Sequence, residues 1–167
     1  MSDKYYITTA IAYVNAPPHI GHALELIQAD SIARYMRLQS KDVYFLTGTD
    51  EHGTKIQRTA DEQGITAQEL ADTNAGKFEE LAKLLDASND GFVRTSSDAH
   101  KRGAQKLWSK IAEADGFYEK EYEGYYCSGC EAFVQEKDLE DGQCPNHKKA
   151  PELLKEKNLF FKLSEYS

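Results

Sequence analysis

Tyr5-Tyr6-Ile7-Thr8-Thr9-Ala10-Ile11-Ala12-Tyr13-Val14-Asn15-Ala16-Pro17-Pro18-His19-Ile20-Gly21-His22 reads as a strand, a stiff turn and the first residues of a helix. Tyr5 to Ala10 is β-branched, aromatic and almost uncharged, the composition of a buried parallel strand. Pro17 and Pro18 fix φ and push the residues before them out of helical geometry. From Gly21 the period changes. Leu26, Ala29, Ile32, Ala33 and Met36 fall on one helical face. A strand that feeds a helix through a rigid turn presents backbone N–H groups at the helix start, a place for an anion. Two imidazoles, His19 and His22, stand there with Gly21 between them. They suit a nucleotide triphosphate: imidazole N–H groups donate to phosphate oxygens, and a glycine lets a base or ribose approach the backbone. Two histidines at a helix start can equally be surface residues.

The chain has 167 residues, 40% hydrophobic and 29% charged, enough for one domain with a small insertion and too apolar for disorder. No apolar run approaches membrane-spanning length, and Met1-Ser2-Asp3-Lys4 leads directly into the strand with no signal-peptide pattern. The formal net charge of −8 argues against wrapping nucleic acid by bulk electrostatics. All three cysteines lie between positions 127 and 144. They cannot pair completely, and their clustering favours a metal in a reducing cytosol over a disulfide framework.

Onward from the first helix, which should end near Gln39-Ser40, Asp42 to Thr47 reads as a second strand. Gly48-Thr49-Asp50-Glu51-His52-Gly53 reads as the loop at its carboxyl end. A helix is expected over Thr54–Gln63, stopped by Gly64. Thr66-Ala67-Gln68-Glu69 has capping-box spacing and opens another helix, with Leu70, Phe78, Leu81 and Leu85 on one face. Asn89-Asp90-Gly91 is turn chemistry. Phe92-Val93-Arg94-Thr95 is a short third strand. Ser96 or Ser97 caps a last helix with Ala104, Leu107, Trp108 and Ile111 inward, ended by Gly116. This order predicts an α/β fold with a parallel sheet, the first half of a doubly wound, Rossmann-like architecture.

After Gly116 the composition changes. Phe117 to Tyr126 alternates aromatic and charged residues, as in a hairpin. Cys127-Ser128-Gly129-Cys130 and Cys144-Pro145-Asn146-His147 follow, with thirteen residues between Cys130 and Cys144. Two such knuckles can close a tetrahedron around zinc, and four protein ligands make the site structural. Few apolar residues lie between Glu119 and Ala150, so the metal would supply most of the folding energy there. Asn158 to Leu163 reads as a strand closing this module.

Ligands of doubly wound sheets bind beyond the carboxyl ends of the strands. The loops after the first two strands therefore open on one crevice, where Asp50 and His52 are the polar groups. Asp50 can alternatively cap the helix that begins at Thr54.

His19-Ile20-Gly21-His22 resembles the signature of class I aminoacyl-tRNA synthetases. Ala10-Ile11-Ala12-Tyr13-Val14-Asn15, Thr49-Asp50-Glu51-His52-Gly53-Thr54-Lys55, Tyr125-Tyr126-Cys127-Ser128-Gly129-Cys130-Glu131 and Phe160-Phe161-Lys162-Leu163 look like the methionyl-tRNA synthetase family. The resemblance implies ATP-dependent activation of methionine to methionyl-adenylate, then transfer to tRNA, with ATP–Mg²⁺ as substrate and a structural Zn²⁺ on Cys127, Cys130, Cys144 and His147. It implies that His19 and His22 steady the ATP phosphates and that Asp50 holds the methionine ammonium; Glu51, next along the chain, is expected to point away from the crevice. It places Ile11 and Tyr13 at the methionine side chain, and Gly21 and Glu25 near the adenosine. It divides the chain into a front half of the catalytic domain (1–116), the zinc-bearing insertion (117–163) and a return segment (164–167).

The family's second signature, Lys-Met-Ser-Lys-Ser, is absent from these 167 residues. So are the later strands of the sheet and an anticodon-binding domain. The expected activity therefore needs the missing half, in cis or as a second chain, and Tyr5 to Ala10 would otherwise be an exposed sheet edge. Two other classes fit parts of the pattern. One is a zinc-ribbon module that binds RNA or protein, for which Lys148, Lys149, Lys155, Lys157 and Lys162 give some support. The other is a class I synthetase for another amino acid, although those for leucine, isoleucine or valine would carry a far larger editing insertion.

Overall fold

In the computed structural model, residues 3–130 and 132–166 are described; Met1 and Ser2 of the N-terminal lead, Glu131 of the knuckle motif and Ser167 lie outside the described residues. The chain divides into two compact units, Met1–Gln105 and Lys106–Ser167.

The first unit is built on the strand Asp42–Asp50 (β3). Lys4–Thr8 (β1) and Ala12–Tyr13 (β2) pair with it in parallel, and so does Gly91–Arg94 (β4). Leu46 pairs with both Thr8 and Gly91, and Thr49 with both Ala12 and Arg94, so β1 and β2 run along one side of β3 and β4 along the other. β3 extends three residues beyond the expected strand and takes in Gly48, Thr49 and Asp50. Gly48 permits this, because a Cβ there would overlap the Val93 carbonyl of β4. The helices are Ile20–Leu38 (α1), Thr54–Gln63 (α2), Ala67–Leu84 (α3) and Asp98–Glu113 (α4), the last crossing the division between the units. Gly64, at φ 68°, ends α2 in the left-handed conformation. Thr66 and Glu69 close the expected capping box on α3.

Two apolar clusters hold this unit. Val14, Ile56, Ala60, Leu70, Ala71, Ala75 and Phe78 join the end of β2 to α2 and α3. Leu26, Ala29, Ala33, Phe45 and Ala82 join α1, β3 and α3. Buried Asn74 ties α3 to the turn after β2, its Nδ2 donating to the Val14 carbonyl at 2.7 Å.

Three expectations are corrected here. β1 is not a buried strand: it pairs on one side only, its burial alternates, and Tyr6 is 62% exposed. Ile32 is exposed on α1, where Ala23 completes the inward face with Leu26, Ala29 and Ala33. Nothing on α4 is buried; Leu107 and Trp108 are both more than half exposed. A second apolar stripe of Ile20, Leu24, Ile27, Tyr35 and Leu38 runs along the outside of α1.

The second unit is an antiparallel sheet. Phe117–Cys127 (β5) pairs with Glu152–Phe161 (β7) over its length and with Ala132–Val134 (β6) at its end. Phe117 to Tyr126 is thus one strand rather than a hairpin. The closing strand is present but begins at Glu152, earlier than Asn158. Trp108 stacks on Phe117 at 4.4 Å, and Tyr118 on Phe160 at 5.5 Å. Among the described residues from 106 to 166 only Gly116, Cys127 and Cys144 are buried. That is no hydrophobic core.

Candidate functional site

The site begins with a fault in the sheet. From Thr8 to Ala12 the first strand advances four residues while β3 advances three, Leu46 to Thr49. The extra residue is a bulge, which turns the side chains beyond it to new directions. Its loose backbone group is taken up: the Ala10 N–H donates to Glu25 Oε1 at 2.8 Å. Thr9 and Thr47 hydroxyls join across the same place at 2.7 Å. Glu25, expected near a nucleoside, therefore also fastens α1 to the bulge.

Past the bulge, Tyr13 pairs with Asp50. The Tyr13 hydroxyl lies where a side chain on Gly53 would be, and Gly53 sits at φ 128°, open to glycine alone. Ile11 is 40% exposed beside them. The Asp50 side chain has no hydrogen-bond or ion-pair partner among the described residues. The N-cap of α2 is Gly53, with no side-chain cap bond, so Asp50 does not cap that helix. The structure thus sets Tyr13 beside Asp50 at the carboxyl ends of neighbouring strands, with Ile11 two residues before Tyr13, in the bulge.

At the start of α1 the two histidines cap the helix for each other. His19 Nδ1 accepts from the Gly21 N–H at 3.1 Å, and His22 Nδ1 accepts from the His19 N–H at 3.1 Å. The rings stack at 3.9 Å, and His22 meets the edge of Phe78 at 5.0 Å. Two of the backbone N–H groups expected to face an anion are already used. The Gly21 N–H is spent on the cap and the His22 N–H on the His19 carbonyl at 3.0 Å. The imidazoles offer a ligand their Nε2–H groups, because each Nδ1 must keep its lone pair to accept. A Cβ at Gly21 would stand 2.9 Å from His19 Cε1, so the His19 ring would have to shift to admit one.

Burial lowers the His22 pKa below its usual 6.5, the His19 ring lowers it further, and Glu25 opposes both. A histidine that resists protonation in the folded state contributes stability in full above pH 6.5 and loses it as pH falls from there through its lowered folded value. Thermal unfolding should show melting temperature falling with acid in that window. His22→Asn keeps a cap acceptor without the titration, and should flatten that part of the curve. An unchanged slope in the variant would contradict the assignment.

Sequence reasoning missed the most heavily bonded group in the unit. Glu51 turns inward and its side chain is fully buried. Its carboxylate accepts from Thr49 Oγ1 at 2.6 Å, from Arg94 Nε at 2.7 Å and Nη2 at 3.0 Å, and from the Ser96 hydroxyl. Its N–H donates to Thr95 Oγ1 at 2.8 Å. Arg94 also holds Asp72 of α3. Burial pushes the Glu51 carboxyl up, and the bonds from Arg94, Ser96 and Thr49 outweigh it, so it stays below the usual carboxylate range. His52 Nε2 donates to the Thr95 carbonyl at 3.3 Å. The available signal was the polar run Arg94-Thr95-Ser96 at the end of one strand beside Thr49-x-Glu51 at the end of its neighbour.

In the second unit, the ligating atoms of Cys127, Cys130, Cys144 and His147 all lie within 4.8 Å of one another. The Cys130 and Cys144 sulfurs are 3.5 Å apart, and His147 Nδ1 lies 3.9, 3.2 and 3.9 Å from the sulfurs of Cys127, Cys130 and Cys144. A tetrahedron with arms of about 2.0–2.3 Å has edges of roughly 3.5–3.8 Å. The cluster fits a four-coordinate cation of the kind that thiolates and imidazole prefer. Gly129 makes room for it, since a Cβ there would overlap the His147 ring.

The family described as tRNA synthetases class I (M) matches residues 5–152. This chain belongs to the class I tRNA synthetases. Within the class its relatives are those for methionine. A methionine–tRNA ligase of Rhizobium meliloti is 47% identical over 169 residues, covering 99% of this chain and 33% of the relative. One from Thermotoga maritima is 45% identical, covering 98% and 27%. The structure of Mycobacterium tuberculosis methionyl-tRNA synthetase in complex with methionyl-adenylate superposes with a TM-score of 0.89 at 40% identity, over 98% of this chain and 33% of that one. The chain spans about a third of the length of these relatives.

Proposed function

We propose that this chain carries one side of the amino-acid activation site of a methionine–tRNA ligase. In that reaction a methionine carboxylate oxygen attacks the α-phosphorus of ATP. The bond to pyrophosphate breaks, and methionyl-adenylate is later transferred to tRNA. The observation that carries the reading is the Asp50 carboxylate at the carboxyl end of β3, paired along the strand with Tyr13 and without a partner among the described residues. A free amino acid brings an ammonium that stays in water unless a fixed anion meets it. Asp50 supplies that anion, while Ile11 and Tyr13 border the thioether. His19 and His22 present Nε2–H donors to the ATP phosphates, with Gly21 and Glu25 on the adenosine side.

Zn²⁺ on Cys127, Cys130, Cys144 and His147 has a structural part: four protein ligands leave no position for substrate. The remaining two thirds found in the relatives, in the same chain or a second one, would cover the free edge of β1 and the outer stripe of α1. A doubly wound sheet continues on that side, and transfer to tRNA belongs to the completed enzyme. The setting is the cytosol, consistent with reduced thiols; among the described residues no helix is long and apolar enough to cross a membrane.

The test is methionine-dependent ATP–pyrophosphate exchange. By itself the chain should show little or none. The activating groups identified in this crevice are imidazoles and carboxylates, and a triphosphate transition state also needs cationic donors worth several kcal/mol. A chimera with this chain in place of the matching third of the Rhizobium meliloti ligase should restore exchange. A folded chimera with no exchange, or robust exchange by the chain alone, would contradict the proposal.

A further inference from the structure

Asp50 has no partner among the described residues, yet its neighbours on both sides are fixed. Side chains alternate along an extended chain, so Thr49 and Glu51, the residue just past β3, turn to one side, where they are hydrogen-bonded, and Asp50 takes the other. Glu51 is bound to Thr49, Arg94 and Ser96 through its carboxylate and to Thr95 through its N–H. His52 is bound to the Thr95 carbonyl. Three parts of the unit are therefore tied together: the end of β3, the end of β4 with its connection to α4 and, through Arg94–Asp72, α3. Glu51 is itself fully buried and cannot touch a ligand. Burying an ion pair is weak as a source of stability, but a forked arginine–carboxylate pair fixes direction.

We propose that Glu51 and Arg94 are positioning residues for amino-acid recognition: by pinning residues 49, 51 and 52 to residues 94–96, they hold the Asp50 carboxylate on the ligand side of the strand. This rests on the reading of Asp50 given above. Neither residue takes part in the chemistry. Their effect reaches the methionine ammonium only through Asp50 and leaves the thioether side, Ile11 and Tyr13, as it was.

The experiment uses the whole chain and the variants Glu51→Gln and Arg94→Lys, the second in case the first does not fold. Its first arm needs no ligand. Nitrogen-15 spectra should show His52 as the Nε2–H tautomer in the parent and as a mixture in either variant. Amide exchange at residues 50–53 should quicken about tenfold or more, while Gly21 and His22 in the α1 cap stay unchanged. The second arm compares L-methionine with 4-(methylthio)butanoate, which lacks the ammonium. Either variant should weaken L-methionine about tenfold, leave the desamino acid unaffected, and add nothing in an Asp50→Asn background. Unchanged tautomer and exchange in a folded variant overturn the proposal, as does equal loss of both ligands. If the parent fails to distinguish the two ligands, the Asp50 reading falls, and the first arm still decides whether the lock orders the loop.

Discussion

Asp50→Asn in the chimeric ligase lowers kcat/KM for methionine by roughly thirty-fold to several thousand-fold, because removing one partner of a buried charge pair typically costs about 2–5 kcal/mol. The thioether cannot make up the difference: a fully buried methionine side chain contributes on the order of 2–3 kcal/mol, equal in both proteins. Asparagine has the shape and hydrogen-bonding reach of aspartate without its charge. Were Asp50 a helix cap, this substitution would be close to silent, since asparagine caps as well. Gly53 occupies the cap position of α2 without any side-chain bond, so folding should survive the change. Circular dichroism establishes that, and steady-state kinetics give the ratio. Parent-like kinetics in the folded variant would remove Asp50 from methionine binding.

Loss of the metal site should have the larger structural effect. Among the described residues from 106 to 166, burial is confined to Gly116, Cys127 and Cys144. The long β5–β7 pair carries ion pairs such as Lys157–Glu119 and Lys155–Glu123 on exposed side chains, and such pairs are worth about 0–1 kcal/mol each. Structural zinc contributes apparent binding energies of about 10–16 kcal/mol at neutral pH, which in a module without a core is folding energy. Elemental analysis should give about one zinc per chain. Cys144→Ser, or a strong chelator, should abolish amide protection across β5 and β7 and leave that of β3 and α3 intact. Retained protection in metal-free protein would show that the unit folds on its aromatic contacts alone.

The fold was legible where local chemistry is strong. The Pro17-Pro18 break, the Thr66–Glu69 capping box and the Gly64 stop stand where the residues put them. So does the pairing of the two cysteine knuckles. What the sequence hid depends on contacts between distant segments. The bulge at Thr9–Ile11 is visible only against β3, and Glu25 serves it from α1. The inward turn of Glu51 needs Arg94 and Ser96, more than forty positions away. The mutual cap of His19 and His22 sits at capping-box spacing, but imidazoles are not the residues by which such a cap is recognised. α4 looked half-apolar and is exposed, because periodicity records a face and not what covers it.

On the function proposed above, the site at the end of β3 recognises an α-amino acid by its ammonium, through Asp50. The most direct test is the affinity ratio of L-methionine to 4-(methylthio)butanoate, measured by titration calorimetry on the chain and on Asp50→Asn. The parent should prefer L-methionine by about tenfold or more, the low end of what a partly exposed charge pair supplies, and the variant should lose that preference. Equal affinities in the parent, or a preference that survives in Asp50→Asn, would contradict it.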